Sequence, residues 1–95
     1  MKVVVVNTTK TGEPAGWWHG DNKHAAKCSY LVEENHGEII HVYTFSGTSE
    51  KDKNDRFSFL NLVEVTDSMI VDRIRNDVDV SRKRGEEAPV RYFDL

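Results

Sequence analysis

The sequence predicts an α+β domain: a small curled antiparallel sheet, or a β-barrel, of about five strands with one main helix. Three observations carry this reading. Strand-length runs of β-branched and aromatic residues recur along the chain, and Asn35-His36-Gly37 separates two of them as a tight turn. Thr66-Asp67-Ser68 then precedes a segment whose apolar residues are spaced by four.

Taken in order, Lys2-Val3-Val4-Val5-Val6-Asn7 is an unbroken β-branched run closed by a polar residue, the pattern of a strand buried on both faces near the centre of a sheet. Thr8 to Gly16 holds Gly, Pro, Thr and Lys and reads as a loop leading into Trp17-Trp18, after which His24 to Lys27 can form one helical turn. Ser29 to Glu33 and Glu38 to Phe45 flank the Asn35-His36-Gly37 turn as a β-hairpin, because Asn and Gly tolerate the positive φ that such turns demand. On the second hairpin strand, Ile39, His41, Tyr43 and Phe45 should share one face and Ile40 and Val42 the other. Apolar cover on both faces favours a closed or half-closed sheet. Ser46 to Asp55 contains no apolar side chain and is expected to be an exposed, mobile loop. Arg56 to Val65 reads as one further strand, with Phe57 and Phe59 on the same side. The helix should run from the Thr66-Asp67-Ser68 cap through Asn76, with Ile70 and Ile74 toward the core. A short segment from Val78 to Arg84, ended by Gly85, leads to a last strand that starts at Pro89, where the missing N–H does no harm.

With 95 residues, one domain spanning 1–95 is expected, since the apolar residues suffice for a single core only. The formal charge of −3 excludes a global positive field of the kind that draws proteins onto nucleic acid, so any such site must be a local patch. Arg73, Arg75, Arg82, Lys83, Arg84 and Arg91 crowd the last quarter of the chain, but the acids interleaved with them fit a solvated helix face and loop. Cys28 is the only cysteine, and no apolar run reaches the roughly 20 residues of a membrane span. A cytoplasmic protein without a membrane partner is the expectation.

His19, His24 and Cys28 lie close in sequence and are chemically suited to zinc, yet their spacing matches no finger or ribbon and no second ligand pair follows. Ordinary core and surface roles are expected for them, with no metal and no cofactor. No nucleophile elbow, phosphate-cradling Gly-rich loop or dinucleotide fingerprint is present, so binding is favoured over catalysis and no catalytic residue is nominated. The Trp17-Trp18 pair is more informative. Adjacent residues of an extended segment point to opposite faces, so one indole can join the core while the other meets solvent or a ligand; the alternative is that both are buried.

The order of several short elements resembles a known group. Val6-Asn7 at a strand end, Gly16 with Trp18, Tyr30-Leu31-Val32, Gly37 with Ile39-Ile40 and Val42-Tyr43, Arg56 with Phe59, and Pro89-Val90-Arg91-Tyr92 together resemble small PUA-like barrel domains, found alone or attached to nuclease- and restriction-type bacterial proteins. Those proteins typically carry Arg just before the Gly of the Gly-x-Trp element. This chain has Ala15 there, so a contact made through that Arg is missing. The resemblance implies an aromatic-lined cleft for RNA or a modified base, nominating Trp17, Trp18 and Tyr43 for stacking and Asn7, Arg56 and Arg91 for polar contacts. The leading expectation is thus a non-enzymatic module that recognises a nucleobase, nucleotide or nucleic acid. The alternative is a small acidic inhibitor or adaptor that binds a protein partner, in the manner of a phage-type nucleic-acid mimic.

Overall fold

The computed structural model describes residues 1–81 and 88–95. In chain order the elements are β1 (Lys2–Asn7), β2 (Gly16–His19), α1 (Asn22–Ala26), β3 (Tyr30–Asn35), β4 (Glu38–Thr44), β5 (Arg56–Ser58), β6 (Val63–Glu64), α2 (Ser68–Asp77) and β7 (Val90–Asp94). The architecture is mixed α+β, mostly sheet, with one main helix. Five strands form a sheet in the order β6-β4-β3-β1-β7, and β2 and β5 form a separate two-stranded ribbon.

Two features of the expected sheet are corrected. β1 and β3 run parallel, so the sheet is mixed rather than antiparallel. The reason lies in the connection: after β1 the chain leaves the sheet through β2 and α1 and re-enters at the end where β1 began, with Ser29 N–H donating to the Lys2 carbonyl at 2.8 Å. Nor does the sheet close into a barrel among the described residues. Both of its faces are covered by other elements instead. Val4, Val6 and Leu31 pack on Trp18, Phe57 and Phe59 of the ribbon side and on Ala25 and Cys28 around α1. Val3, Val5, Val32 and Val42 pack on Ile74 and Val78 of α2. All four valines of β1 are therefore buried, as a strand covered on both faces requires.

The hairpin forms as the Asn-His-Gly signal predicts, although positive φ falls on His36 (50°) and Gly37 (82°) rather than on Asn35. Its second strand departs from simple alternation. The β3–β4 register shifts between Glu33 and Glu34, which pair with His41 and Ile39, leaving Ile40 as the extra residue of a bulge. Ile39 consequently packs on the α2 side while Tyr43 and Phe45 pack on the ribbon side, not together as alternation alone would have it. The expected strand from Arg56 to Val65 is also divided. Asn61 takes a positive φ of 56°, and the chain passes from β5 in the ribbon to β6 at the edge of the main sheet.

The polar segment Ser46 to Asp55 is more tied down than its composition implies. Thr48 bridges to Phe59, Ser49 N–H donates to the Ser58 carbonyl at 2.9 Å, the Asn22 side chain donates to the Ser49 carbonyl at 3.3 Å, and Thr48 Oγ1 donates to the Asn22 carbonyl at 3.1 Å. Gly16 is fixed by the ribbon: a Cβ there would lie 2.8 Å from the Ser58 Cβ, so only glycine lets β2 approach β5 so closely. Asp67 caps α2 by accepting from Met69 N–H, as the sequence predicts, and Ile74 is buried against the sheet. Of the expected Val78–Arg84 segment, the part from Arg82 to Arg84 and the terminating Gly85 lie outside the described residues. Among the described residues no helix is long and apolar enough to cross a membrane.

Candidate functional site

β1 and β3 end side by side, Asn7 opposite Glu34, and the chain beyond β1 turns over this end of the sheet. Carboxyl ends of parallel strands are where open sheets place their ligand crevices, because the connections diverge there. A cavity of about 390 Å³ occupies this position, lined by Asn7, Thr9, Lys10, Thr11, Trp18 and Pro89. Pro89 is brought in by β1, since Asn7 N–H donates to its carbonyl at 2.9 Å. Trp18 comes from the ribbon, where its indole N–H is spent on the Pro14 carbonyl at 3.0 Å. The ring therefore presents an apolar wall to the cavity.

The loop that forms the rim is held from both sides. Thr8 is fully buried; its N–H donates to the Glu34 carbonyl at 2.9 Å, and its carbonyl accepts from Gly12 N–H at 2.8 Å. Asn7 Oδ1 accepts from Thr9 N–H at 2.9 Å, which leaves the Asn7 amide hydrogens unbonded among the described residues. Thr9 Oγ1 accepts from His36 N–H at 2.9 Å, docking the rim on the hairpin turn. Thr11 Oγ1 accepts from Glu13 N–H at 3.3 Å. The side chains of Asn7, Thr9 and Thr11 thus use acceptor capacity on the backbone and keep their own hydrogens.

The nominated residues divide into three sets. Asn7 and Trp18 meet in the cavity. Trp17 is the extra residue at the register shift of β2 and is 56% exposed; Trp18, by contrast, is 5% exposed, so the pair splits between surface and core. Arg56 lies opposite His19 on the same ribbon, and its Nε–H donates to His19 Nε2 at 3.0 Å. Tyr43 and Arg91 are engaged elsewhere, on opposite faces of the main sheet.

Tyr43 donates its hydroxyl to Glu33 Oε1 at 3.2 Å, while Thr8 Oγ1 donates to Glu33 Oε2 at 2.6 Å. Burial, reinforced by the Glu33 carboxylate, pushes the Tyr43 hydroxyl up to about 12, which keeps it a proton donor. Arg91 pairs with Glu34 Oε1 at 3.3 Å and donates to the Val80 carbonyl at 3.0 Å and the Ser81 carbonyl at 3.3 Å. Glu34 also accepts from Gly37 N–H at 3.1 Å, so this buried carboxylate ties β7 to the hairpin turn. Neither Tyr43 nor Arg91 lines the cavity.

The cavity residues absent from the sequence-based nomination are Thr9, Lys10, Thr11 and Pro89. A signal for the first three existed: a Thr-Thr-Lys-Thr-Gly stretch directly after the most apolar strand. Its meaning depends on the parallel β1–β3 pairing. His24 stacks on Tyr92 with ring centroids 3.9 Å apart, and the Cys28 thiol donates to the His24 carbonyl and is pushed up by burial. Among the described residues no group of three His, Cys, Asp or Glu side chains is placed to hold a metal. No protein-family model matches this chain, and no curated protein or solved structure is significantly similar to it.

Proposed function

We propose that this protein is a non-enzymatic binding module that takes a nucleobase-bearing ligand into the cavity between Asn7, Trp18 and Pro89. The observation that carries the reading is the composition of that cavity: two rigid apolar rings, Trp18 and Pro89, beside a short row of side chains with unspent hydrogens. A flat heterocycle with acceptor atoms at its edge suits such a site, because rings supply contact area and the polar groups fix orientation. Asn7 is the natural reader of a base edge, through its Nδ2 hydrogens and the remaining capacity of Oδ1. The charge of −3 favours a small ligand over a long duplex. A cytoplasmic setting belongs to the same proposal, supported by a lone cysteine that is buried.

The test is a titration of nucleosides and their 5′-monophosphates followed by amide and indole NMR shifts. Perturbations confined to Asn7, Thr9, Lys10, Thr11 and the Trp18 indole are expected. Shifts centred on α2 or on β6, or none with any member of the panel, would overturn the reading.

A further inference from the structure

The polar groups around the cavity all present hydrogens. Asn7 Oδ1, Thr9 Oγ1 and Thr11 Oγ1 each accept from a backbone N–H, so what remains toward a ligand is the Asn7 amide hydrogens and two hydroxyl hydrogens. Lys10 adds an ammonium with three more. Among the described residues no carboxylate lines the cavity, although the chain as a whole is acidic. The nearest buried carboxylates are turned to other partners, Glu33 to the hydroxyls of Thr8 and Tyr43, and Glu34 to Arg91 and Gly37 N–H. The backbone N–H groups of Lys10 and Thr11 likewise have no acceptor among the described residues. Thr9, Lys10 and Thr11 are exposed on the rim, where water otherwise satisfies them, and a neutral base alone engages few of these donors. An anion rich in acceptor oxygens matches them together.

We infer that the ligand is a nucleoside monophosphate, with its phosphate held by Lys10, Thr9 and Thr11 and its base against Trp18 and Pro89. The inference rests on the base-binding reading above and adds the phosphate. The size agrees: at about 390 Å³ the cavity lies near the lower end of the roughly 300–1,000 Å³ typical of small-molecule sites, room for one nucleotide and not for a run of them. The guanidinium groups of Arg56 and Arg91 are not needed, since among the described residues that line the cavity Lys10 supplies the charge.

Calorimetric titration of each nucleoside against its own 5′-monophosphate, on the wild-type chain and on Lys10→Met, tests this. Lys10 is exposed on the rim, and a thermal melt confirms that the variant is folded. The monophosphate should bind at least about tenfold more tightly than the nucleoside, an advantage that falls with added salt and mostly disappears in Lys10→Met. Equal binding of nucleoside and monophosphate overturns the phosphate assignment and leaves the base-binding reading standing. An advantage that survives intact in Lys10→Met places the phosphate elsewhere and also overturns it. Binding of neither ligand defeats the base-binding reading itself, and the inference with it.

Discussion

Two groups of polar side chains stand within a few residues of one another where β1 and β3 end, and they behave differently. In the first, Glu33, Glu34, Tyr43, Thr8 and Arg91 are turned on each other: the Glu33 carboxylate accepts from the hydroxyls of Thr8 and Tyr43, and the Glu34 carboxylate pairs with the Arg91 guanidinium and accepts from Gly37 N–H. In the second, the side chains of Asn7, Thr9 and Thr11 each accept from one backbone N–H, Lys10 has no partner among the described residues, and all four line an open cavity. The residue types overlap, and so does the chain position. What separates a structural polar group from a candidate binding group is whether its hydrogen bonds are already spent, because a buried group that has lost its partner carries the full desolvation cost.

The largest effect expected from this contrast is at Arg91. Its side chain is 16% exposed and that of Glu34 only 1%, so Arg91→Met removes one cationic partner from a nearly inaccessible carboxylate. Loss of one partner of a buried pair costs about 3–5 kcal/mol, whereas replacing both by apolar residues of similar volume is often close to neutral. Urea melts should therefore show Arg91→Met strongly destabilised and the double variant Arg91→Met/Glu34→Leu largely restored. A loss under about 1 kcal/mol in the single variant would mean that Arg91 is not structural, and would return it to the set of ligand contacts.

The next effect concerns Tyr43. Removing its hydroxyl in Tyr43→Phe leaves Glu33 Oε1 without its donor, a change worth about 1–3 kcal/mol when the acceptor is buried. The pH dependence has a defined sign. In the folded chain the hydroxyl titrates near 12, above its value of about 10 in an unfolded chain. The folded state thus holds the proton more tightly, so its contribution is complete below pH 10 and is lost as pH rises from about 10 to 12. Stability of the wild type should fall across that window more steeply than that of Tyr43→Phe. Parallel curves would show that Tyr43 is not coupled to Glu33.

Much of the fold was legible because it is written in local patterns. The Val3 to Val6 run, the Asn35-His36-Gly37 turn and the Asp67 cap each specify their element through nearest neighbours in sequence, and the elements stand where those signals place them. What local pattern does not encode is which strand lies beside which. The parallel β1–β3 pairing depends on the path of the intervening β2 and α1, and the division of Arg56–Val65 depends on one positive φ at Asn61. The candidate site inherits that gap. Asn7 and Trp18 were identifiable by residue type, but Lys10 and Pro89 become neighbours of Trp18 only once the strand order is known. Arg91 illustrates the converse, since a lone arginine in a strand looks the same in sequence whether it awaits a phosphate or holds Glu34.

The smallest effect expected, and the sharpest for the binding reading, is at Trp17. It is 56% exposed at an irregular point of the ribbon, whereas Trp18 is 5% exposed and lines the cavity. Trp17→Ala should change stability by no more than about 0.5 kcal/mol, the usual range for a surface substitution that removes no buried contact. It also leaves Trp18 as the only indole. The remaining emission should be blue-shifted and poorly quenched by acrylamide, as a buried ring requires, and it should respond when a nucleotide enters the cavity. Retained binding in this variant assigns recognition to the cavity side of the Trp pair. Loss of binding with unchanged stability would move recognition to the exposed ribbon, where Trp17, His19 and Arg56 stand together in sequence and pairing, and would make the unspent hydrogens of Asn7, Thr9, Lys10 and Thr11 a feature of the solvated surface.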